Sequence, residues 1–150
     1  SEGMKKFVFS LEKVLGYKQQ MLDLRKNELF RLQAQQNDME RQIADRNLEF
    51  GDTNRRLTLK MRDGVVPHDI AVYKGYMEDL NRRIRVLRGQ RQKIMETIAA
   101  KQQEIVRMNS DISGLERLKD KQQKLYRSCE KKELERTVEE FVGRAKVQAG

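Results

Sequence analysis

The only proline of the 150-residue sequence, Pro67, follows Gly64 closely in the segment Arg62–Asp69. Gly64 can adopt the left-handed backbone conformation that closes a helix. Pro67 fixes its own φ angle and disfavours helical conformation at Val66. Long segments of heptad pattern precede and follow this point. The sequence therefore predicts an all-α fold, a long antiparallel two-helix coiled-coil hairpin with a hinge at about residues 63–67.

The heptad pattern is strong enough to predict which residues meet. Seven-residue steps from Leu15 reach apolar residues at six of seven positions, and two series after the hinge, from Ile70 and from Tyr73, are each apolar at seven of nine. A second series on the first helix, from Leu11, is mixed. If the hairpin is centred near residue 65 or 66, position i of the first helix lies near position 131 minus i of the second. The apolar seams then face each other along the hairpin.

We expect the first helix over about residues 10–62, the hinge over about 63–67 and the second helix over about 68–143. Together they form a single coiled-coil hairpin covering residues 4–147. Ser10 is a favourable N-cap for the first helix, after a short extended lead over Met4–Phe9. Residues 1–3, which precede Met4, are interpreted as a cloning remnant.

The second helix is longer than the first and should extend past it as a C-terminal helical overhang. A first helix that begins near residue 10 has no partner to offer beyond about residue 121, which leaves Gln122–Gly150 uncovered. Apolar residues recur at helical spacing in this overhang: Leu134, Val138, Phe141 and Ala145. An uncovered apolar stripe indicates an interface. A frayed tail and self-association are the alternatives.

Charge is concentrated on the second helix. The chain has 32 basic and 23 acidic residues, a net charge of +9, and Asn81–Met95 contains no acid. We call the six basic residues of that segment the basic band: Arg82, Arg83, Arg85, Arg88, Arg91 and Lys93. Such a band suits either nucleic acid or an acidic protein surface, and it is also typical of a solvated helix face. No aromatic residue lies among these arginines and no nucleic-acid-binding motif is present, so we do not expect nucleic acid as a partner.

No constellation of residues indicates catalysis. His68 is the only histidine and Cys129 the only cysteine, so neither a zinc cluster nor an internal disulfide can be assembled from them. We expect a protein that is not an enzyme and binds no cofactor or metal. The sequence also lacks an apolar run of about 20 residues and a signal-peptide pattern, so we expect a cytoplasmic protein without membrane insertion.

Three stretches together resemble a known family. The N-terminal motif is Met4–Leu15 (MKKFVFSLEKVL). The hinge sequence Val66–Ile70 is followed by Tyr73, Tyr76, Met77, Leu80 and Ile84. Near the end, Glu130–Lys132 precedes Val138–Glu140. In order and spacing these segments resemble the flagellar type III export protein FliJ family over Met4–Val147.

The resemblance implies a non-enzymatic, stalk-like part of the export apparatus, similar to the γ stalk of rotary ATP synthases. It implies a peripheral position at the cytoplasmic face of the flagellar base. The implied partners are the hexameric export ATPase, the cytoplasmic domain of the export gate membrane protein, and export chaperones. We expect the protein to be a monomer. The ATPase-ring contacts would be Phe7, Phe9, Leu11, Val14, Leu134, Val138 and Phe141. The gate contacts would be Ile43, Phe50, Tyr76 and Leu80.

Two other functions are compatible with the same sequence. A coiled-coil RNA-binding arm would use the basic band, and it would show steep salt dependence of binding. A homo-oligomeric structural spacer would cover the Leu134–Ala145 stripe with a second copy of the chain.

Overall fold

The computed structural model describes residues 6–149, which form two helices and no strand. Helix α1 is Glu12–Asp63 and helix α2 is Pro67–Ala149. The two pack against each other, so the predicted all-α antiparallel hairpin is confirmed. Residues 1–3, interpreted as a remnant, and Met4 and Lys5 of the predicted lead lie outside the described residues.

Helix α1 begins later than the Ser10 cap predicts. Ser10 and Leu11 form a turn, in which the Glu12 amide donates to the Phe9 carbonyl at 3.1 Å. The first amide bonded in the helical pattern is that of Leu15, which donates to Leu11 at 2.9 Å. No side-chain hydrogen bond of Ser10 occurs among the described residues. The expected Ser10 cap is therefore wrong, because a backbone carbonyl already satisfies the Glu12 amide.

The hinge is three residues long, from Gly64 to Val66. Gly64 has a φ of +88°, the left-handed conformation that ends α1 without steric cost. Pro67 is the first residue of α2, where its missing amide hydrogen costs nothing. The amide of Asp69 then donates to the Val66 carbonyl at 3.1 Å.

Helix α2 continues to Ala149, beyond residue 143 where the sequence pattern places its end. The intervening segment contains Arg144, Ala145, Lys146 and Gln148, which are good helix formers, and no proline. Gly143 is tolerated within the helix at a cost of about 1 kcal/mol relative to alanine.

The backbone divides into two compact units. The first unit combines Ser1–Asp23 with Val106–Gly150, and the second is Leu24–Ile105. In the first unit the buried seam contains Leu15, Leu22 and Ile112. The Glu12 carboxylate lies 2.8 Å from Lys119 Nζ, and Lys119 is the residue that the predicted register places opposite it.

In the second unit, all of the strongly buried apolar residues occupy predicted heptad positions: Ile43, Leu57, Leu80, Ile84, Ile98 and Ile105. Thr53 is the one buried polar residue of the described chain, and its hydroxyl donates to the Glu49 carbonyl at 2.7 Å. Burial thus follows the periodicity that the sequence predicts.

Four charges bridge α1 and α2 at one edge of the second unit. Arg25 lies 2.8 Å from Glu104 and 3.1 Å from Glu28, and Lys101 lies 2.7 Å from Glu28. We call these residues the ion-pair quartet. Hydrogen bonds from Lys101 and from Arg25 lower the pKa of Glu28 and of Glu104 respectively. The same two contacts raise the pKa of Lys101 and of Arg25. The quartet therefore favours its charged state.

Candidate partner-binding surfaces

The overhang begins after Tyr126, later than the sequence predicts. The ring of Phe7, in the lead before α1, packs on the ring of Tyr126 with centroids 5.6 Å apart and planes inclined at 48°. Burial is the largest of the causes that raise the pKa of Tyr126. The lead thus covers α2 beyond residue 122, where the predicted overhang starts, because Phe7 continues the antiparallel run upstream of α1.

Every residue from Arg127 to Gln148 is exposed. Leu134 is 64% exposed and Phe141 is 73% exposed, and Val138 between them is also exposed. Spacings of four and three residues place these three side chains on one face of α2. We call this face the overhang stripe.

The overhang stripe does not continue the seam of the hairpin. Seven-residue steps from Tyr126, in the series that starts at Ile70, reach Glu133 and Glu140. The second seam series, which starts at Tyr73, reaches Arg136. Charged residues therefore occupy three of the seam positions in the segment that carries the stripe, and Leu134, Val138 and Phe141 lie on a different face of the helix. Because the two faces differ, extension of the existing seam by another helix would leave the stripe uncovered.

The four predicted ring contacts near the start of the chain differ in accessibility. Phe9 is only 4% exposed and packs in the interior of the first unit, while Phe7 and Leu11 are half-buried. Val14 is exposed and lines a shallow groove with Tyr17, Met21 and Met108. One rim of that groove carries the Lys18–Asp111 ion pair, with Nζ and Oδ2 3.4 Å apart.

The groove was not predicted from the sequence. The signal on α1 was present, because Val14, Tyr17 and Met21 recur at spacings of three and four residues beside the seam. Met108 comes from the other helix, and its place in the groove depends on the register between the helices.

The predicted gate contacts divide into buried and exposed members. Ile43 and Leu80 are 6% and 2% exposed and pack inside the second unit. Phe50 is half-buried. Tyr76 is 42% exposed, and its hydroxyl donates a hydrogen bond to the Glu49 carboxylate on α1. Of these four residues, only Tyr76 and the accessible part of Phe50 can contact a partner while the helices remain packed.

The basic band is partly neutralised within α2. Asp79 accepts contacts from Arg82 at 3.6 Å and from Arg83 at 3.0 Å. The other four members, Arg85, Arg88, Arg91 and Lys93, make no ion pair with any residue between 6 and 149. The Nε atom of Arg91 is buried without a hydrogen-bond partner among the described residues.

A comparison with known protein families identifies the family to which the chain belongs. The family model described as flagellar FliJ protein matches residues 7–149. The chain belongs to the FliJ family. Comparisons with curated proteins and with solved structures found no match.

Membership in the FliJ family makes this chain a component of the flagellar export apparatus. Proteins of this family are non-enzymatic components of the flagellar export apparatus. No helix of the described residues is long and apolar enough to cross a membrane. Residues 6–149 also hold no group of three or more His, Cys, Asp or Glu side chains that could bind a metal ion, and both His68 and Cys129 are exposed.

Proposed function

We propose that the chain acts as a stalk-like link in flagellar type III export, binding the hexameric export ATPase ring and connecting it to the export gate and to export chaperones. FliJ family membership supports this function as a whole. The observation that carries the ring contact is the overhang stripe, whose apolar side chains lie exposed on the part of α2 that Phe7 and α1 do not cover.

The ring-binding surface, in this proposal, is the overhang stripe together with the edge of the first unit. Leu134, Val138 and Phe141 supply apolar anchors at helical spacing, as in helices that bind by laying one face into a groove. Val14 adds an exposed apolar edge, and Phe7 and Leu11 are partly accessible. Phe9 supports this surface from inside the unit, since its side chain is buried.

The gate-binding surface centres on Tyr76. An exposed tyrosine is a rigid anchor of the kind that dominates protein interfaces. Phe50 contributes its accessible edge, while buried Ile43 and Leu80 hold the helices that position both aromatic residues. All four gate residues belong to the second unit and all of the ring residues belong to the first, which supports separate partners for the two units.

Export chaperones would use the groove formed by Val14, Tyr17, Met21 and Met108. Methionine side chains are flexible and polarisable, and they suit surfaces that accept several partners. The protein would act as a monomer in the cytoplasm, at the base of the flagellum.

Truncation tests this function directly. A chain ending at Ser128 keeps Tyr126 and the Phe7 contact but lacks the overhang stripe. We expect it to lose binding to the purified export ATPase hexamer in a pull-down, while circular dichroism still reports helix. Undiminished capture of the hexamer would contradict the proposal. A full-length dimer in sedimentation that becomes a monomer on truncation would instead support the homo-oligomeric spacer.

A further inference from the structure

The outer surface of α2 opposite the seam carries unpaired positive charge. Ile84 and Leu87 face the seam, so the intervening Arg85 and Val86 point away from it. Lys93 is also exposed on this surface, and Arg88, four residues after Ile84, is exposed at its edge beside the seam. We call Arg85, Val86, Arg88 and Lys93 the arginine face. None of its three charges has an ion-pair partner among residues 6–149.

Acids bound this surface at both ends. At one end Asp79 engages Arg82 and Arg83. At the other end Glu96 accepts a hydrogen bond from the Gln92 side-chain amide at 3.4 Å. Asp79 and Glu96 are 17 residues apart, so the stretch between them rises about 25 Å along α2, slightly less than five helical turns. A long polyanion that followed α2 would meet a carboxylate at either end.

Apolar contact is available beside the charges. Val86 is 60% exposed on the arginine face, and Met95 is exposed at its far end. Gly89 lies between them, and a methyl group there would have no heavy atom within 4 Å, so the helix surface at this point is open. A partner backbone could therefore approach α2 closely between the cationic side chains.

We propose that the arginine face binds a short acidic amphipathic helix of a partner protein, distinct from the ring and gate contacts. Its carboxylates would pair with Arg85, Arg88 and Lys93, and an apolar side chain would cover Val86. The planar guanidinium group of arginine can donate two parallel hydrogen bonds to one carboxylate. The limited length and the exposed valine favour a protein helix over nucleic acid, which would gain from aromatic stacking and a longer basic track.

Fluorescence anisotropy with a labelled probe tests this inference. The probe is a peptide of about four helical turns, with glutamates at spacings of three and four residues and a leucine stripe beside them. We expect the full-length chain to bind it, more weakly at high salt, and not to bind the matched peptide with lysine in place of glutamate. Failure to bind the glutamate peptide would overturn the inference.

Two matched triple variants separate a local site from net charge. The variant Arg85→Ala/Arg88→Ala/Lys93→Ala should weaken peptide binding about tenfold or more. The control Arg107→Ala/Arg117→Ala/Lys121→Ala removes the same charge from other exposed positions of α2, and it should change binding less than about threefold. Equal weakening by both variants would show only net attraction and overturn the inference.

A third variant and a second probe distinguish a protein helix from nucleic acid. Val86→Ser leaves the charge unchanged and should weaken binding of the glutamate peptide severalfold, with helix content by circular dichroism retained. Oligouridine should bind more weakly than the peptide at physiological salt. Tighter binding of oligouridine that is lost in the Arg85/Arg88/Lys93 variant would overturn the acidic-helix assignment and identify a nucleic-acid site.

Discussion

Phe7 packs its ring against Tyr126, and this contact marks the point where α2 loses its cover. Tilted aromatic pairs contribute about 0.5–1.5 kcal/mol beyond their buried area. We therefore expect Phe7→Ala to lower the free energy of unfolding by about 1–3 kcal/mol, measured by urea denaturation. Val8→Ala is the control, because Val8 is 78% exposed and should change stability little. Equal stability of the two variants would contradict a structural role for the Phe7 contact.

Replacing a glycine inside a helix by alanine should raise the free energy of unfolding, whereas Phe7→Ala should lower it. A methyl group added at Gly75 or Gly89 meets nothing within 4 Å, and both residues are helical. Replacing either by alanine should raise the free energy of unfolding by about 0.5–1 kcal/mol, because alanine loses less backbone entropy in a helix. Gly64→Ala should lower it by about 1–2 kcal/mol, since φ at Gly64 is +88°. Thermal denaturation measures all three, and a stabilising Gly64→Ala would contradict the hinge conformation.

The ion-pair quartet predicts how stability depends on pH. The pKa values of Glu28 and Glu104 are lowered, so their contribution is present above the ordinary value of 4.5 and is lost as the pH falls through the lowered values. The pKa of Lys101 is raised, so its contribution is present below 10.5 and is lost only as the pH rises above that value. Stability should therefore fall below about pH 4.5 and above about pH 10.5.

Urea midpoints as a function of pH check the acid side of this prediction. The double variant Glu28→Gln/Glu104→Gln should be less stable than the original chain at pH 7 and should lose less stability on acidification. Glu135→Gln is the control, because Glu135 is exposed and makes no ion pair within the described chain. If acidification lowers the urea midpoint of the double variant as much as that of the original chain, then other carboxylates control the loss of stability at low pH.

How much could be predicted from the sequence depends on whether a feature follows the heptad. The seam is periodic, so the heptad pattern alone correctly places Leu15, Ile43 and Leu80 at packed positions. The path of the lead before α1 has no periodicity, and the Phe7–Tyr126 contact could therefore not be predicted in this way.

The residues of the candidate surfaces were harder to predict, because their accessibility depends on how the two helices pack against each other. Ile43 and Leu80 were assigned to a partner by family position, although their heptad positions already implied burial against the other helix. The groove residue Met108 required the register between helices, which the spacing on α1 alone cannot supply. By contrast, the pairing of Asp79 with Arg82 and Arg83 follows from spacings of three and four residues and was readable from the sequence.

Tyr76 provides a test of the proposed gate contact. Tyr76→Ala removes an exposed ring and its hydrogen bond to Glu49, so it should cost little stability. We expect it to weaken binding to the cytoplasmic domain of the export gate by about 1 kcal/mol or more and to leave ATPase binding unchanged. Val72→Ala, at another exposed apolar position of α2, is the control. Equal loss of both partners would contradict separate gate and ring surfaces.

The overhang stripe is the central element of the proposed function, and a face-specific substitution tests it most directly. The measurement is the dissociation constant for the export ATPase hexamer of two triple variants with matched helix content by circular dichroism. Leu134→Ala/Val138→Ala/Phe141→Ala should weaken binding at least about tenfold, because it removes the apolar anchors. Glu133→Ala/Arg136→Ala/Glu140→Ala, on the seam face of the same segment, should weaken it less than about threefold. Unchanged binding in the first variant, or equal loss in both, would contradict the proposed ring contact.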